Sequence, residues 1–375
     1  MVINDTQQAI VDTVRQFIRK EVVDQSAQFE AAAAYPPSLF EEMGKLGLMG
    51  MTAPETYGGA ELDYVSYALA LMEVAAGDGA LSTIMSIQNS IMVSGLLRFG
   101  SPAQKEQWLP ALIAGRVIGA FALTEADAGS DAAAIRCRAV REGTGWRLDG
   151  AKQFITSGRI ADLAMVIAVT DPAAGKRGIS AFLVPTDTQG YLVDKVEHKL
   201  GQRASDTCAL RFDGCFVEGD ALFGPEGRGY SIALANLEAG RIGIAAQAVG
   251  MAQAAMRIAV SYARDRVSMG KPIIDHQAVG FRLADLAARL EAARQLVFHA
   301  ASLKDAGEAC LTEASMAKLV ASETAEAVVS GAIQTLGGYG YLEEFGLAKI
   351  YRDVRVCQIY EGTSDIQRMV IARSF

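Results

Sequence analysis

The chain has 375 residues, of which 51% are hydrophobic and 7% aromatic, and its formal net charge is −8. This length predicts two or three domains, and the acidic balance argues against binding to a nucleic-acid backbone. We expect no uncharged run long enough to span a bilayer. The start also lacks signal-peptide regions, which predicts a cytoplasmic protein of bacterial type, or a mature mitochondrial-matrix chain without its targeting peptide.

Three domains are predicted from two changes in the hydrophobic period. Residues 1–118 show helical spacing, for example over Gln7–Ile18 and Tyr64–Ala76. Residues 119–225 carry short β-rich runs and predict an antiparallel sheet. Helical spacing returns over 226–375, where an apolar stripe predicts a long helix in a bundle. The runs quoted for the sheet are Ala164–Val169, Ile179–Val184 and Ala209–Phe212, and the stripe is Val279, Leu283, Leu286, Leu290, Ala293 and Val297.

Two motifs in the middle part end strands with small and polar residues. They are Phe121–Asp131 and Lys152–Gly158, the second after a hairpin-like break at Asp149-Gly150. Hydroxyls and free backbone amides at such ends suit the polar edge of a flat heteroaromatic cofactor, with Phe154 available to cover its face. The alternative is that these hydroxyls only satisfy backbone amides in turns.

Ile359–Arg368 presents one carboxylate on a tight turn ahead of a helix. Gly362 permits the turn, Thr363 or Ser364 can cap the helix, and Glu361 is thereby directed outward. In an apolar pocket such a carboxylate has a raised pKa and can act as a general base. The alternative is a solvated residue favoured by the helix dipole.

The five cysteines are scattered without a short paired spacing, so neither a zinc site nor a disulfide framework is expected. Further motifs follow in the C-terminal part: Gly240–Gln247, where Arg241 opens a small-residue helix, then Arg264–Pro272, His276-Gln277 and Gln334–Tyr341. With these motifs in register along nearly the whole length, the chain resembles the acyl-CoA dehydrogenase family, specifically its short-chain and short branched-chain members.

The resemblance implies a mostly α fold with a middle β domain. The parts would be an N-terminal helical domain (1–118), an antiparallel β domain (119–225) and a C-terminal four-helix bundle (226–375). It also implies FAD as cofactor, a homotetramer built as a dimer of dimers, and electron-transfer flavoprotein as electron acceptor. The implied reaction is α,β-dehydrogenation of a short acyl-CoA to trans-2-enoyl-CoA. Glu361 would remove the α-proton while the β-hydride goes to N5 of FAD.

Site residues are implied by the family's motif positions. FAD would contact Phe121, Leu123, Thr124, Gly129, Ser130, Phe154, Thr156, Arg266, Met269, Gln277, Gln334, Gly338, Thr363 and Asp365. Among these, Arg266, Gln277, Gln334 and Gly338 would serve the FAD of a neighbouring subunit. Substrate would contact Ser130, Glu238, Arg241, Gly362 and Arg373.

Several departures from the family pattern affect these expectations. Many relatives have Trp at Phe154 and Phe at Met269, which predicts looser flavin and adenine packing here, and proline is absent from 125–128. Gly240 stands where some branched-chain members carry the base, which leaves Glu361 as the base. The Ser82–Asn89 segment resembles short-chain members and predicts a short linear or 2-methyl-branched acyl group, used in fatty acid β-oxidation or branched-chain amino acid catabolism.

Three rival functions share this fold. An acyl-CoA oxidase-like flavoenzyme would return electrons to O₂, and a nitroalkane oxidase-like enzyme would carry Asp in place of Glu361. A non-catalytic acyl-CoA-binding protein would be expected to lack the base or the FAD motifs, both of which are present here.

Overall fold

The first part of the chain is helical in the computed structural model, which describes residues 3–375. Met1 and Val2, where the first predicted domain begins, lie outside the described residues. The helices are α1 (Asp5–Glu21), α2 (Ser26–Ala32), α3 (Pro37–Lys45), α4 (Tyr64–Gly77), α5 (Gly79–Ile87), α6 (Ser94–Phe99) and α7 (Pro102–Ile113). Asp78 separates α4 from α5 and caps α5, because its carboxylate accepts from the backbone N–H groups of Ala80 and Leu81. A π-helical turn, Gln88–Val93, joins α5 to α6.

The middle part forms one eight-stranded sheet in the order β6-β7-β3-β2-β4-β5-β8, with β1 paired to β4. The strands are β1 (Gly119–Ala122), β2 (Arg138–Glu142), β3 (Gly145–Thr156), β4 (Leu163–Val169), β5 (Ile179–Pro185), β6 (Tyr191–Val196), β7 (Thr207–Glu218) and β8 (Leu222–Phe223). Most pairs are antiparallel, but β1 and the first residue of β2 both pair with β4 in parallel. The sheet is therefore mixed rather than purely antiparallel. Parallel strands need a long connection, and the chain between β1 and β4 is long because it contains the β2–β3 hairpin.

The predicted break at Asp149-Gly150 is wrong, because β3 continues through it. The hairpin turn lies earlier, between Glu142 and Gly145, and the pairing of β3 with β7 only shifts register between Leu148 and Gly150. Gly150 has φ +144°, and a Cβ there would lie 2.7 Å from the Cα of Cys137. Glycine thus permits a β-bulge in which two backbones approach closely.

The last part contains α8 (Gly229–Asp265), a small hairpin of β9 (Val267–Ser268) and β10 (Lys271–Pro272), α9 (Gln277–Asp305), α10 (Leu311–Leu336), α11 (Leu347–Val354) and α12 (Ser364–Ala372). The predicted stripe lies on α9, and its members from Leu283 to Val297 are buried. The expectation that Arg241 opens a helix is wrong, since Arg241 lies in the middle of α8. Glycine at position 240 marks close packing there rather than a helix boundary.

One hydrophobic core joins the two helical parts. It includes apolar side chains of α1, α4 and α5 together with those of α8, α9 and α10, and α4 packs directly on α8. The sheet has cores of its own, one of which also takes in α7 and the first turns of α8. The helices therefore hold the sheet and the C-terminal segment in fixed relation to each other.

Two helices are long and apolar enough to cross a membrane by length and composition alone, which corrects the expectation that no such run exists. They are the continuous helix Gly79–Phe99 and α8, and 83% and 78% of their most apolar windows are buried within the chain. Such burial is typical of core helices.

Alanine in place of Gly150 tests the bulge. Gly150→Ala adds a Cβ against Cys137 and should lower the free energy of unfolding by about 1–3 kcal/mol beyond its backbone strain. Gly143→Ala is the matched control, because Gly143 also has positive φ but its Cβ would meet nothing within 4 Å. Urea unfolding measures both, and equal losses would contradict the bulge geometry.

Candidate active site

The turn before α12 is fixed by side chains on both sides. Thr363 caps α12 by accepting from the backbone N–H of Ile366 at 3.3 Å, as the sequence predicted. The Gln367 amide donates to the carbonyl oxygens of Glu361 at 3.2 Å and Gly362 at 2.9 Å. Glu361 itself has φ +54°, a left-handed conformation that costs energy for a residue with a side chain.

Glu361 is partly buried, and the Oε2 atom of its carboxylate is enclosed by protein. Its Oε2 has no hydrogen-bond partner, and it lies 2.6 Å from the point where a Cβ at Gly240 would stand. Loss of hydration raises the pKa of Glu361 to about 7, against the opposing effects of the positive charges of Arg241 and Lys318. Glycine at 240 thus makes room for a carboxylate that can exchange a proton near neutral pH.

Arg241, one of these two cations, directly follows Gly240 on α8. Its side chain is buried, Nη1 donates to the Ser315 hydroxyl at 3.0 Å, and Nε has no partner. Burial lowers the pKa of Arg241, while the charges of Glu361 and Glu238 raise it. A guanidinium with an unpartnered donor near a carboxylate can bind a further acceptor.

Lys318 is a buried residue that the sequence analysis missed. Its Nζ donates to the carbonyl oxygen of Gly362 at 2.7 Å, and burial is the main cause that lowers its pKa to about 8. Ser315, Lys318 and Ser322 recur at spacings of three and four on the buried face of α10. That polar row on an otherwise apolar helix face is the signal that could have found it.

The two strand-end motifs, Phe121–Asp131 and Lys152–Gly158, contact each other in the sheet. The Thr124 carbonyl accepts from the backbone N–H of Gln153 at 2.8 Å. Lys152 is fully buried, and its Nζ donates to the Leu123 carbonyl at 3.0 Å and to the Glu125 carboxylate at 2.8 Å. Lys152 and Glu125, to which the sequence analysis gave no role, therefore hold the ends of β1 and β3 together.

A cavity of about 290 Å³ lies between the end of β3 and the segment that leads into the Glu361 turn. Thr156, Thr207 and Tyr360 line it, as do Ser205, Arg352 and Arg355. Ser205 Oγ, Arg352 Nε and Arg355 Nη1 are enclosed without hydrogen-bond partners. A cavity with a mostly apolar lining and a few hydroxyl groups suits a flat heteroaromatic ring system such as that of FAD.

The other residues of these two motifs that are predicted to contact FAD differ in their exposure to solvent. Phe154 has φ +59° and is 63% exposed, and Gly129 and Ser130 are also exposed, whereas Leu123 is buried and Phe121 is partly buried. Phe154 thus presents its ring outside the apolar core. An exposed aromatic ring in a strained backbone position is available to a ligand.

A second group of predicted residues lies far from Glu361. Arg266 and Gly338 line a separate cavity of about 430 Å³, while Gln277, Gln334 and Met269 are exposed. Arg266 directly follows α8, 26 positions after Gly240, which corresponds to about 39 Å along a helix. The structure therefore does not bring these residues to the Glu361 site of the same chain.

The remaining predicted substrate residues are also dispersed. Glu238 lies near Arg241 on α8, but its carboxylate pairs with Lys304 at 3.2 Å. Arg373 is exposed at the far end of α12, and Asp365 is exposed in its first turn.

Across residues 3–375 no group of three His, Cys, Asp or Glu side chains could hold a metal ion, and the five cysteines are free and buried.

Comparison with known proteins gives a consistent result over the whole chain. Models of the N-terminal, middle and C-terminal domains of acyl-CoA dehydrogenase match residues 4–116, 120–215 and 227–375. The human protein named short-chain specific acyl-CoA dehydrogenase, mitochondrial, is 46% identical over 98% of this chain and 89% of its own length.

Solved structures agree with these matches. Butyryl-CoA dehydrogenase from Megasphaera elsdenii superposes with a TM-score of 0.97 at 38% identity, covering 100% of this chain and 99% of that one. A chain from a study of the electron transferring flavoprotein of Acidaminococcus fermentans superposes with a TM-score of 0.98 at 39% identity. The match covers 100% of this chain and 98% of that one. The fold and these matches identify the protein as a flavin-dependent oxidoreductase. The chain belongs to the acyl-CoA dehydrogenase family, and FAD is its cofactor.

Removal of the Glu361 carboxylate should raise stability in a pH-dependent way. Because folding raises the pKa of Glu361 from its usual 4.5 to about 7, its contribution to stability is full below pH 4.5 and is lost as pH rises through 7. We expect Glu361→Gln to be more stable than wild type by up to about 3 kcal/mol near pH 8.5, and nearly equal to it near pH 4.5.

Unfolding of wild type and variant at the two pH values measures this difference. Glu106→Gln, which removes an exposed carboxylate on α7, is the control. A Glu361→Gln variant that is no more stable than wild type at the higher pH would contradict the enclosed carboxylate.

Proposed function

We propose that the enzyme dehydrogenates a short acyl-CoA thioester to trans-2-enoyl-CoA, with Glu361 as the base that removes the α-proton. The observation that carries this proposal is a carboxylate whose Oε2 is enclosed without a hydrogen-bond partner and whose pKa is raised to about 7, on a turn next to a cavity that Tyr360 lines. A base with a pKa near physiological pH is present in its ionised form in a substantial fraction and is still basic enough to accept a proton from carbon. FAD, when bound, supplies the acceptor for the β-hydride.

The residues around Glu361 have separate tasks in this proposal. Arg241 and Lys318 place positive charge near the carboxylate and keep its pKa from rising further. The backbone N–H of Glu361 polarises the thioester carbonyl, because negative charge develops on that oxygen as the α-proton leaves. Gly362, Glu238 and Arg373 are proposed to contact the remainder of the acyl-CoA.

The wall of the 290 Å³ cavity is proposed to hold the flavin ring. Thr156 and Ser205 offer hydroxyls there, and Phe154 lies on the same strand as Thr156. Phe121, Leu123, Thr124, Gly129, Ser130, Thr363 and Asp365 remain proposed FAD contacts on their motif positions. In many relatives Trp replaces Phe154, so flavin stacking is proposed to be looser here.

The separation of the two groups of FAD residues supports an oligomer, which we propose to be the homotetramer that the family resemblance implies. Arg266 lies about 39 Å along α8 from Gly240, by helical rise, and it lines a separate cavity with Gly338. They are therefore better placed to serve the FAD of another copy, together with Gln277, Gln334 and Met269. Each site would then need residues of two chains, which makes the oligomer obligatory.

The acyl group is proposed to be short. A Cβ at Gly243, one turn beyond Gly240 on α8, would lie 2.5 Å from the Ser86 hydroxyl and 2.9 Å from that of Tyr67. Ser86 and Tyr67 therefore occupy the surface of α8 one turn beyond the glycine that the Glu361 carboxylate contacts. A short linear or 2-methyl-branched chain fits that limit, in agreement with relatives named short-chain and butyryl-CoA dehydrogenase.

Electron-transfer flavoprotein is the proposed electron acceptor. The similarity to a chain studied with such a flavoprotein supports this partner. The proposed pathways are fatty acid β-oxidation or branched-chain amino acid catabolism, in the bacterial cytoplasm or the mitochondrial matrix.

Anaerobic titration of the holoenzyme with acyl-CoAs tests the function. The panel runs from propionyl-CoA to octanoyl-CoA and adds isobutyryl-, 2-methylbutyryl- and isovaleryl-CoA. We expect fast loss of flavin absorbance with a short member and little with octanoyl-CoA, because Tyr67 and Ser86 limit the depth. Reduction by none of them would reject the proposed substrate class.

Glu361→Gln is the matched variant for this titration. It should keep FAD and bind the thioester but lose flavin reduction by at least about 100-fold, as expected on removal of a general base. A variant that is reduced at a near-normal rate would reject Glu361 as the base. Fast reoxidation of the reduced wild type by air would favour the oxidase alternative over the dehydrogenase.

A further inference from the structure

The segment Lys199–Arg203, to which the sequence analysis gave no chemistry, reaches the turn of Glu361 through Gln202. The Gln202 side chain is buried and its backbone is left-handed, with φ +49°. Its Nε2 donates to the Tyr360 hydroxyl at 3.4 Å and to the Asp353 carbonyl at 3.2 Å, and its Oε1 accepts from the Thr83 hydroxyl at 2.6 Å. Gln202 therefore contacts the residue that directly precedes Glu361.

A second buried glutamine closes this cluster. Gln247 on α8 accepts the Tyr360 hydroxyl at its Oε1, and its Nε2 donates to the Thr83 hydroxyl at 2.7 Å and to the Gly79 carbonyl at 2.7 Å. Thr83, Gln202, Gln247 and Tyr360 thus form a polar cluster in which every side-chain hydrogen on nitrogen or oxygen has an acceptor. A fully satisfied buried cluster fixes one arrangement of its members.

Buried charges anchor the cluster from behind. The Asp353 carboxylate accepts from the backbone N–H of Gln202 and pairs with Lys349 at 2.6 Å, and Lys349 also lies 3.3 Å from Asp78. Asp78 in turn accepts from the Tyr35 hydroxyl at 2.7 Å. Because buried ion pairs are costly to disrupt, the position of Gln202 is fixed against both helical parts.

The Glu361 carboxylate has no comparable restraint of its own. Its Oε2 has no hydrogen bond, so the position of the carboxylate depends on its left-handed backbone. That backbone is held after Glu361 by the bonds of Gln367 and Lys318 and before it by the cluster at Tyr360. Gln202 and Tyr360 also line the 290 Å³ cavity.

We propose that Gln202 is a positioning residue, which holds Tyr360 and thereby fixes the turn that keeps the Glu361 carboxylate beside Gly240. The catalytic consequence rests on the proposed role of Glu361 as base. Gln202 in the cavity wall and the turn that carries the base are then joined by hydrogen bonds through Tyr360, so a change at residue 202 reaches Glu361 without touching it.

Gln202→Met tests the proposal in the holoenzyme, because methionine keeps the length of the side chain and removes its hydrogen bonds. Flavin reduction should slow by about 100-fold, as for a displaced catalytic group, while the dissociation constant of the acyl-CoA changes little. A second readout needs no substrate. Isotope-edited infrared spectroscopy, with Glu361→Gln as the blank, should show Glu361 titrating at lower pH in the variant, because a loosened turn lets water reach the carboxylate.

Gln104→Met is the matched control. Gln104 is a buried glutamine whose Nε2 donates to the carbonyls of Asp220 at 2.8 Å and Leu222 at 3.0 Å, away from the cavity. It should lose stability and keep the wild-type reduction rate and Glu361 titration. Tyr360→Phe removes only the hydroxyl, so it replaces Gln202→Met should that variant fail to fold, with the same shifts expected.

The outcomes separate the two proposals. The positioning role would be overturned if Gln202→Met, or Tyr360→Phe in its place, kept both the reduction rate and the Glu361 titration midpoint of the wild type. A wild-type enzyme that no acyl-CoA reduces would reject the proposed function, and the infrared titration would still decide whether Gln202 positions Glu361.

Discussion

Enclosure of one carboxylate without a hydrogen-bond partner is the constraint on which the rest of the site depends. Withdrawing Glu361 from water raises its pKa to about 7, and this is unfavourable for folding at neutral pH. Tertiary packing of the surrounding helices offsets this unfavourable free energy. Glycine at 240 leaves the space, and the turn is fixed by bonds to its backbone rather than to the carboxylate.

The architecture makes this enclosure possible because three distant parts of the chain meet at the turn. α8 supplies the glycine and Arg241, α10 supplies Lys318, and the segment after β6 supplies Gln202. The shared core of the first and last helical parts holds these elements rigidly. Local sequence near Glu361 sets the turn, but the environment that tunes its acidity comes from tertiary contacts.

Patterns within single elements were predictable from the sequence. The Thr363 cap, the stripe along α9 and the three β-rich runs depend on residues that are near each other in sequence, and the structure contains all of them. The contacts of Lys318 and the space at Gly240 depend on which helices pack together, which no local period encodes. The parallel return of β1 and the bulge at Gly150 were missed for the same reason, since strand pairing and close backbone approach are non-local.

The pH dependence of flavin reduction in the wild-type holoenzyme tests the central claim most directly. The rate should be followed anaerobically at low butyryl-CoA concentration, where it reports the pKa of the free enzyme. The account predicts a rate that rises with pH through a midpoint near 7 and then levels off, as the Glu361 carboxyl loses its proton. A rate that already levels off near pH 5, as for a hydrated carboxylate, would contradict it.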